Sequence, residues 1–357
     1  LEENLIPLSF IAALTAGAAE YHSLLTSVIS TPGNALRIGG HEAPPNIMSV
    51  YLGKALDSLF KAISNKSAED SYEKKRLNFG LKKLPNLSAH GSDRNRTSPL
   101  AFTGNKFEFR APGSSQAVAR PVAMLTAVWA LGIDGIIEKI ESNRKNGLND
   151  RESALKAIAD SYEEGAKIRF EGDAYSKEWR EEAERRELAI PKNIVEGIGY
   201  SISPKNVEAL SSMNIFTKEE LEAYEKIRLK ALCDTISAEA TVLKKMTFGG
   251  VLPAIAKQIA LEGAAASCLS DADSKKSWSK SISKLNEIRA EITDLVDKLN
   301  ECDEKIASTK SLREKAEIFV NETIPITEEI RKQNDLAESL IDRDIYPFAD
   351  YSELLIV

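Results

Sequence analysis

The stretch that decides the fold is residues 285–306, LNEIRAEITDLVDKLNECDEKI. Its apolar side chains recur at alternating spacings of three and four residues, at Leu285, Ile288, Ile292, Leu295, Leu299, Cys302 and Ile306. Two apolar positions in every seven residues form a narrow stripe on one face of an α-helix, and a long partner helix buries such a stripe. The stretch therefore predicts a long helix within a bundle.

The chain on both sides of this stretch has the same helical texture from about residue 136 to residue 357. Turn chemistry and β-branched alternation are scarce there, which favours an antiparallel helical bundle over a second sheet. Pro325 should break or kink the helix that follows the stretch. The charge-dense residues 141–188 are expected on the surface.

Residues 1–135 have a different texture, with short apolar runs separated by Gly and Pro. The opening segment has Glu2 and Glu3 where a signal peptide carries cations, and Glu20 interrupts its apolar run before membrane length. It therefore predicts a buried helix. The two textures together predict an α+β, predominantly helical protein of two domains, 1–135 and 136–357.

Composition excludes several classes of function. The chain has 357 residues and a formal net charge of −7, which offers no general attraction to nucleic acid or to an anionic membrane. Its three cysteines are far apart and form no CxxC pair, so neither a disulfide framework nor a zinc site is indicated. A reducing, cytoplasmic location is expected.

The segment KFEFR, residues 106–110, alternates charged and aromatic side chains. On a strand, Phe107 and Phe109 would face a core, while Lys106, Glu108 and Arg110 would share the other face. Two neighbouring cations favour the ionised form of Glu108, and such a carboxylate can bind a hard divalent cation. On this pattern alone a solvated sheet face remains the simpler explanation.

Two further charged segments lie in the same domain. In RIGGHEAPP, residues 37–45, the glycines permit a sharp turn and the prolines stiffen its exit, so that Glu42 is held on a short rigid loop after Arg37. In DRNRTS, residues 93–98, Arg94 and Arg96 would point to the same side of an extended chain. Taken together with KFEFR, this density of charge around rigid turns favours a site for an anionic, metal-bound substrate.

These segments resemble glutamine synthetase, and specifically its type III branch. The family signature is an Arg-x-x-x-x-Glu-Ala-Pro stretch, then Asn-Arg-Ser/Thr, then a Glu-x-Arg strand; here they stand as RIGGHEAPP, DRNRTSPLAFTGNKFEFR and GSSQ. The resemblance continues in VLPAIAKQ (251–258) and DIYPFADYSELL (344–355) and covers nearly the whole chain. It implies part of the family's catalytic antiparallel sheet with helices, followed by a helical C-terminal region.

The resemblance also implies residue roles. Glu108 looks like the carboxylate that binds Mg²⁺ or Mn²⁺ at the nucleotide phosphates, and Lys106 is similar to a basic residue near these phosphates. Arg37 and Arg110 look like the residues that hold the carboxylate groups of glutamate.

The remaining two roles concern the reaction itself. Arg96 is similar to the arginine that contacts the nucleotide and stabilises the phosphoryl group in transit. Glu42 resembles the acidic residue that binds ammonium and takes its proton. The implied reaction is ligation of ammonia to glutamate, with ATP as co-substrate and γ-glutamyl phosphate as intermediate. Family members form double-ring dodecamers, so a homo-oligomer is implied.

The chain departs from the family in lacking the β-grasp domain, the Glu-x-Glu strand and the other metal carboxylates that precede this region. We therefore expect it to be the C-terminal portion of the enzyme and to be inactive by itself. Two rival hypotheses remain open. One is a ligase of the same family that joins glutamate to another amine, and the other is a non-catalytic homologue that acts as a helical assembly module.

Overall fold

The computed structural model describes residues 5–35, 47–65, 76–77, 87–88, 98–113, 116–174, 176–349 and 351–355. These residues are predominantly helical with a small amount of β-structure, as the sequence predicts. The chain divides into two compact units, Leu1–Arg228 and Leu229–Val357. The boundary predicted at residue 135 falls inside a helix of the first unit. The first unit therefore ends well after the point at which the sequence texture changes. The assignment of 1–135 and 136–357 as separate regions of the family remains a prediction.

The β-structure of the first unit comprises five short strands: β1 (Val50–Tyr51), β2 (Arg76–Leu77), β3 (Leu87–Ser88), β4 (Leu100–Phe102) and β5 (Phe107–Phe109). β1, β4 and β5 form a sheet in that order, and β2 pairs with β3 separately. β4 and β5 are antiparallel, as predicted, but β1 and β4 are parallel, so the expectation of a purely antiparallel sheet is wrong for these strands. Residue Val50 also bridges to Arg169, which extends the sheet beyond β1.

Helices make up most of the described part of the first unit. They are α1 (Leu5–Glu20), α2 (His22–Ile29), α3 (Lys54–Asn65), α4 (Ala119–Lys145), α5 (Asp150–Glu164), α6 (Lys177–Arg185), α7 (Ile194–Gly199), α8 (Pro204–Ser212) and the first part of α9 (Lys218–Met246). The opening helix is buried, as predicted: Leu14 and Ala18 of α1 are fully buried. Helix α4 is long and apolar enough to cross a membrane by length and composition, but in this unit it packs against α1, α2 and α5.

The crossing of α1 and α4 depends on two glycines. A Cβ on Gly132 would overlap the backbone carbonyl of Ala13, lying 2.7 Å from its carbonyl carbon. A Cβ on Gly17 would likewise overlap the carbonyl of Val128, 3.3 Å from its carbon. The two backbones therefore approach more closely than any side chain at these positions allows.

The charge-dense segment 141–188 was expected on the surface, but part of it lies in the interior of the first unit, so this prediction is only partly right. Its charged side chains are largely exposed, but Tyr162 is 1% exposed and Trp179 is 3% exposed. The Tyr162 ring stacks on Phe60 of α3 with centroids 5.0 Å apart. The Trp179 ring stacks on Phe170, next to the residue that bridges to β1. A few large apolar residues thus anchor a segment whose average composition is polar.

The second unit is helical throughout its described part. It contains the rest of α9, followed by α10 (Leu252–Ser267), α11 (Ala272–Ser308), α12 (Leu312–Ile318), α13 (Ile324–Glu338) and α14 (Tyr351–Leu355). The predicted apolar stripe lies on α11, and its members from Leu285 to Cys302 are buried against α10 and α13, with Ile306 half-buried at the end. This confirms the long helix in a bundle.

Two prolines of the second unit follow π-helical segments. Residues 319–323 form a π-turn directly before α13, where Pro325 occupies the first turn, and residues 247–251 do the same before Pro253 of α10. A proline lacks its N–H and crowds the carbonyl four residues earlier, and a π-turn accommodates both effects. The predicted interruption at Pro325 is therefore present, in the form of a widened turn.

Candidate functional site

The charged face of KFEFR is present as predicted. The Nη2 and Nε atoms of Arg110 donate to Oε2 of Glu108 at 2.9 and 3.1 Å. The Nζ atom of Lys106 lies 3.4 Å from the other oxygen, Oε1. The three side chains share one side of β5 and form one continuous ion-paired row.

These two cations set the charge of the carboxylate. The pKa of Glu108 is lowered, chiefly by the hydrogen bond from Arg110 and next by that from Lys106. Desolvation opposes this shift but is outweighed. The Glu108 side chain is 37% exposed, whereas that of Arg110 is only 19% exposed. Glu108 is therefore an ionised, accessible carboxylate, held in place by a guanidinium that is itself packed into the fold.

The local sequence explains how the row is built. Backbone N–H of Thr103 donates to the carbonyl of Lys106 at 2.9 Å, which closes a tight turn between β4 and β5, and Gly104 supplies the required positive φ of 104°. Phe107 packs edge-on against Phe102 with centroids 5.3 Å apart. The predicted core position of Phe107 and Phe109 holds only in part, because both rings are half-buried on a strand that pairs with a single neighbour among the described strands.

Several chain segments meet at the Arg110 end of β5. Backbone N–H of Arg110 donates to the carbonyl of Pro99 at 2.7 Å, and N–H of Leu100 donates to the carbonyl of Ser49 at 3.1 Å. The hydroxyl of Ser49 also donates to that of Ser98 at 3.2 Å. The residues just before β1 and β4 and the residue just after β5 therefore lie side by side at one edge of the sheet.

A fourth segment joins them through Asn34, which is fully buried. Its Nδ2 donates to the carbonyl of Ala111 at 3.2 Å and to that of Ile29 at 3.0 Å. The turn that follows α2 is thereby tied to the residue directly after Arg110.

Sequence reasoning missed the residues that hold this junction together. Gln116 donates from Nε2 to the carbonyl of Val28 at 2.9 Å, while its Oε1 accepts from the backbone N–H of Gly113. Arg228 donates from Nη1 to the carbonyl of Ser30 at 2.9 Å, and so caps the C-terminal end of α2. Gln116 belongs to the quoted GSSQ stretch, which was a usable signal, but no local pattern links Arg228 to a helix almost 200 residues earlier.

Three predicted site residues, Arg37, Glu42 and Arg96, lie outside the described residues. The described residues contain no group of three or more His, Cys, Asp or Glu side chains that could hold a metal ion. Glu108 fits a hard divalent cation as one ionised oxygen ligand on a rigid strand. The other ligands of such a cation could be water, substrate phosphates or residues outside the described part of the chain.

A second polar cluster includes Asp57, Lys61 and Arg169, which line a cavity of about 350 Å³ beside β1. There the hydroxyl of Tyr162 donates to Asp57 at 2.5 Å, Lys61 pairs with Asp57 at 2.7 Å, and the Arg169 guanidinium lies 3.5 Å from the centroid of the Tyr162 ring. Burial, reinforced by Asp57, raises the pKa of Tyr162. Because these groups satisfy one another, the cluster has a structural role in joining α3, α5 and the sheet.

The comparisons with known proteins all match glutamine synthetases. Residues 153–266 match the family described as glutamine synthetase C-terminal domain. The chain is 35% identical over 358 residues to a type-3 glutamine synthetase of Dictyostelium discoideum, an alignment that covers 97% of this chain and 48% of the relative. It is 29% identical to glutamine synthetases of Bacteroides fragilis (strain YCH46) and Butyrivibrio fibrisolvens, each covering 99% of this chain and 50% of the relative. The chain thus spans about half the length of the curated relatives it matches.

Proposed function

Because the chain is related to the type-3 glutamine synthetases over nearly its whole length, we propose that it carries the C-terminal part of a glutamate–ammonia ligase site. The proposed reaction joins ammonia to L-glutamate, with ATP as co-substrate and γ-glutamyl phosphate as intermediate. A carboxylate is a poor electrophile, and phosphorylation turns one of its oxygens into a leaving group. Ammonia then attacks the acyl carbon and phosphate departs.

The observation that carries this proposal is the row formed by Lys106, Glu108 and Arg110 at the edge where the other segments meet. The described residues nearest in sequence to Arg37, Glu42 and Arg96 are Ala35, Ile47 and Ser98. The described stretches that contain Ala35, Ile47 and Ser98 adjoin the Arg110 end of β5 through the contacts of Asn34, Ser49 and Ser98. Because these described stretches lie together at one edge of the sheet, they support a single site built from all three signature motifs.

Each group of the row has a proposed task. Glu108 would hold the divalent cation, whose chemistry when bound is to neutralise the charge of the ATP phosphates. Lys106, which is 65% exposed, would contact the same phosphates. Arg110 and Arg37 would hold the carboxylate groups of glutamate, since a guanidinium fork matches a carboxylate in shape and charge.

Two residues would act on the reacting atoms. Arg96 would stabilise the phosphoryl group as it leaves ATP, which is the usual task of an arginine in phosphoryl transfer. Glu42 would bind ammonium and accept its proton, so that neutral ammonia attacks. An acyl phosphate must also be shielded from water, and a loop that carries Glu42 is suited to that purpose.

The cellular setting follows the same proposal. We place the protein in the cytoplasm, because glutamate, ammonia and ATP meet there, and we propose a homo-oligomer, because the family that the chain resembles forms one.

The test is an assay of the complete protein with ATP and glutamate, in which ammonium is compared with methylamine and ethylamine. Glutamine formation with equimolar phosphate release, and little product from the amines, is the expected result. A preference for either amine would move the proposal to a γ-glutamyl-amine ligase. Absence of phosphate release with every acceptor would overturn the ligase assignment.

A further inference from the structure

The last carbonyl groups of helix α2 are bound by side chains from distant parts of the first unit. Helix α2 ends at Ile29, and the last carbonyls of a helix have no partner within it. The Nη1 atom of Arg228 donates to the carbonyls of Ser27, Val28 and Ser30, at 3.3, 3.3 and 2.9 Å. One guanidinium nitrogen therefore lies among three carbonyl oxygens and compensates their partial negative charge.

The same end of α2 holds the exit of β5. Asn34 donates from Nδ2 to the carbonyl of Ile29 at 3.0 Å and to that of Ala111 at 3.2 Å. Ala111 directly follows Arg110 in the chain. A Cβ on Gly113 would lie 3.1 Å from Asn34 Oδ1, so the Asn34 side chain packs closely against the chain that leaves β5. The position of Arg110 therefore depends on where α2 ends.

Arg228 and Gln116 share one acceptor at this junction. Nε2 of Gln116 donates to the carbonyl of Val28 at 2.9 Å, and Nη1 of Arg228 donates to the same oxygen at 3.3 Å. Val28 and Ser30 are fully buried, so water does not reach their carbonyls. A buried carbonyl that loses its donor is costly, and the end of α2 would shift to recover a partner. Loss of Arg228 would thus be transmitted to the exit of β5.

The Arg228 guanidinium is held in one orientation by its surroundings. Its central carbon lies 5.6 Å from the centroid of the Tyr224 ring, one turn earlier on α9, and the guanidinium carbon of Arg120 lies 3.5 Å from the same centroid. Burial, and then the charge of Arg120, lowers the pKa of Arg228 to about 10, so the group stays charged at neutral pH. A charged donor away from water makes strong hydrogen bonds.

We propose that Arg228 is a positioning residue for glutamate binding, because it fixes the end of α2 and thereby the Arg110 guanidinium at the exit of β5. This inference rests on the proposed function, in which Arg110 holds a carboxylate group of glutamate. Lys106, which would contact the ATP phosphates, lies at the other end of β5, beside the turn closed by Thr103. The effect of Arg228 should therefore fall on glutamate and leave ATP alone.

Steady-state kinetics of the complete protein with Arg228→Met and Arg228→Lys tests the proposal. Arg228→Met keeps a long side chain but loses the donors, and should raise the KM for glutamate about tenfold or more, since a misplacement of about 1 Å can cost that much. The KM for ATP should stay unchanged. One nitrogen makes all three bonds, so the ammonium of Arg228→Lys should restore the KM for glutamate to within about threefold of wild type. An unchanged KM for glutamate, an equal rise for ATP, or no rescue by lysine would overturn the proposal.

The matched control loosens the opposite end of the same helix. Nδ1 of His22, the first residue of α2, accepts from the backbone N–H of Ala189 at 2.9 Å. His22→Ala should lower the melting temperature and leave the KM for glutamate at the wild-type value. A KM for glutamate that rises equally in His22→Ala and Arg228→Met would mean that loosening of α2 alone is responsible, and would overturn the positioning role.

Hydrogen exchange separates failure of this inference from failure of the proposed function. Backbone N–H of Ser30 donates to the carbonyl of Ser27 at 3.3 Å, and N–H of Asn34 donates to that of Thr31 at 2.8 Å. Exchange at these two amides should be faster in Arg228→Met and close to wild type in Arg228→Lys. A wild-type protein that forms no glutamine would refute the proposed function. Exchange that is the same in Arg228→Met and wild type would overturn this inference even in an active ligase.

Discussion

Gly132→Ala is the perturbation that tests the packing of the first unit most sharply. The new methyl group would overlap the carbonyl of Ala13, at 2.7 Å from its carbon and 3.3 Å from its Cα. The oxygen, the carbonyl carbon and the Cα of Ala13 are all backbone atoms of helix α1, so no flexible side chain can move aside. The helices α1 and α4 must separate, and overpacking of this kind costs about 1–3 kcal/mol or more.

An alanine also favours the helix over a glycine by about 1 kcal/mol, which would hide part of that cost. Gly135→Ala on the same helix separates the two effects. A Cβ at position 135 would meet only the flexible end of Lys139, at 3.8 Å. Gly135→Ala should therefore stabilise the first unit by up to about 1 kcal/mol. Because both variants share the propensity gain, the difference between their free energies of unfolding gives the steric cost alone, for which we expect about 1–3 kcal/mol or more.

Urea unfolding monitored by tryptophan fluorescence measures this difference. Trp129 lies on α4 and donates from Nε1 to the carbonyl of Phe10 on α1 at 2.8 Å, so it reports on the interface that the substitution opens. Equal unfolding midpoints for Gly132→Ala and Gly135→Ala would refute the close crossing of α1 and α4.

The remaining predictions concern pH, catalysis and the helical core. Burial lowers the pKa of His22 to about 4, so as the pH falls His22 takes up a proton in the unfolded chain before it does so in the folded one. The free energy of unfolding should therefore fall by up to about 3 kcal/mol between pH 6.5 and pH 4. His22→Gln should reduce this decline, measured as the urea midpoint at each pH. Glu42→Ala in the complete protein should reduce glutamine formation more than glutamate-dependent ATP cleavage, and equal losses would count against its ammonium role. Ile292→Ala, at a fully buried position, should cost about 2–5 kcal/mol in thermal unfolding, whereas a loss below about 1 kcal/mol would place Ile292 outside a packed seam.

The sequence predicted the features that repeat along a single element. The spacing from Leu285 to Ile306 predicted α11 and its buried face, because the pattern depends only on helical geometry. The alternation in KFEFR predicted which side chains share a face of β5, for the same reason. Both predictions succeeded because neighbours in sequence are neighbours in space.

Features that join distant segments could not be read from local patterns. The parallel pairing of β1 with β4 involves residues 50 positions apart, and neither short strand carries a signal for its partner. The segment 141–188 is polar on average, and only its packing shows that Tyr162 and Trp179 anchor it to the core. Asn34 and Arg228 are single polar residues whose roles depend on which carbonyl groups the fold brings to them.

The ionised state of Glu108 is the part of the candidate site that sequence and structure support together. The sequence placed two cations beside it, and the structure shows both within 3.4 Å of its oxygens. The predicted partners Arg37, Glu42 and Arg96 lie beyond the described residues, and their roles rest on the resemblance and on the segments that adjoin them.

Glutamine formation by Glu108→Gln in the complete protein, measured across a titration of Mg²⁺, tests the central claim most directly. Glutamine keeps the size of the side chain but loses the charge that would hold the cation. Glu164→Gln is the matched control, since Glu164 is also an ion-paired carboxylate, 2.8 Å from Lys139, and its partner belongs to helix α4 rather than to β5. We expect glutamine formation by Glu108→Gln to fall by a factor of about 100 or more, roughly what removal of one electrostatic stabiliser costs, while its assembly stays native and Glu164→Gln forms glutamine at the normal rate. Near-normal turnover of Glu108→Gln at every Mg²⁺ concentration would contradict the central claim.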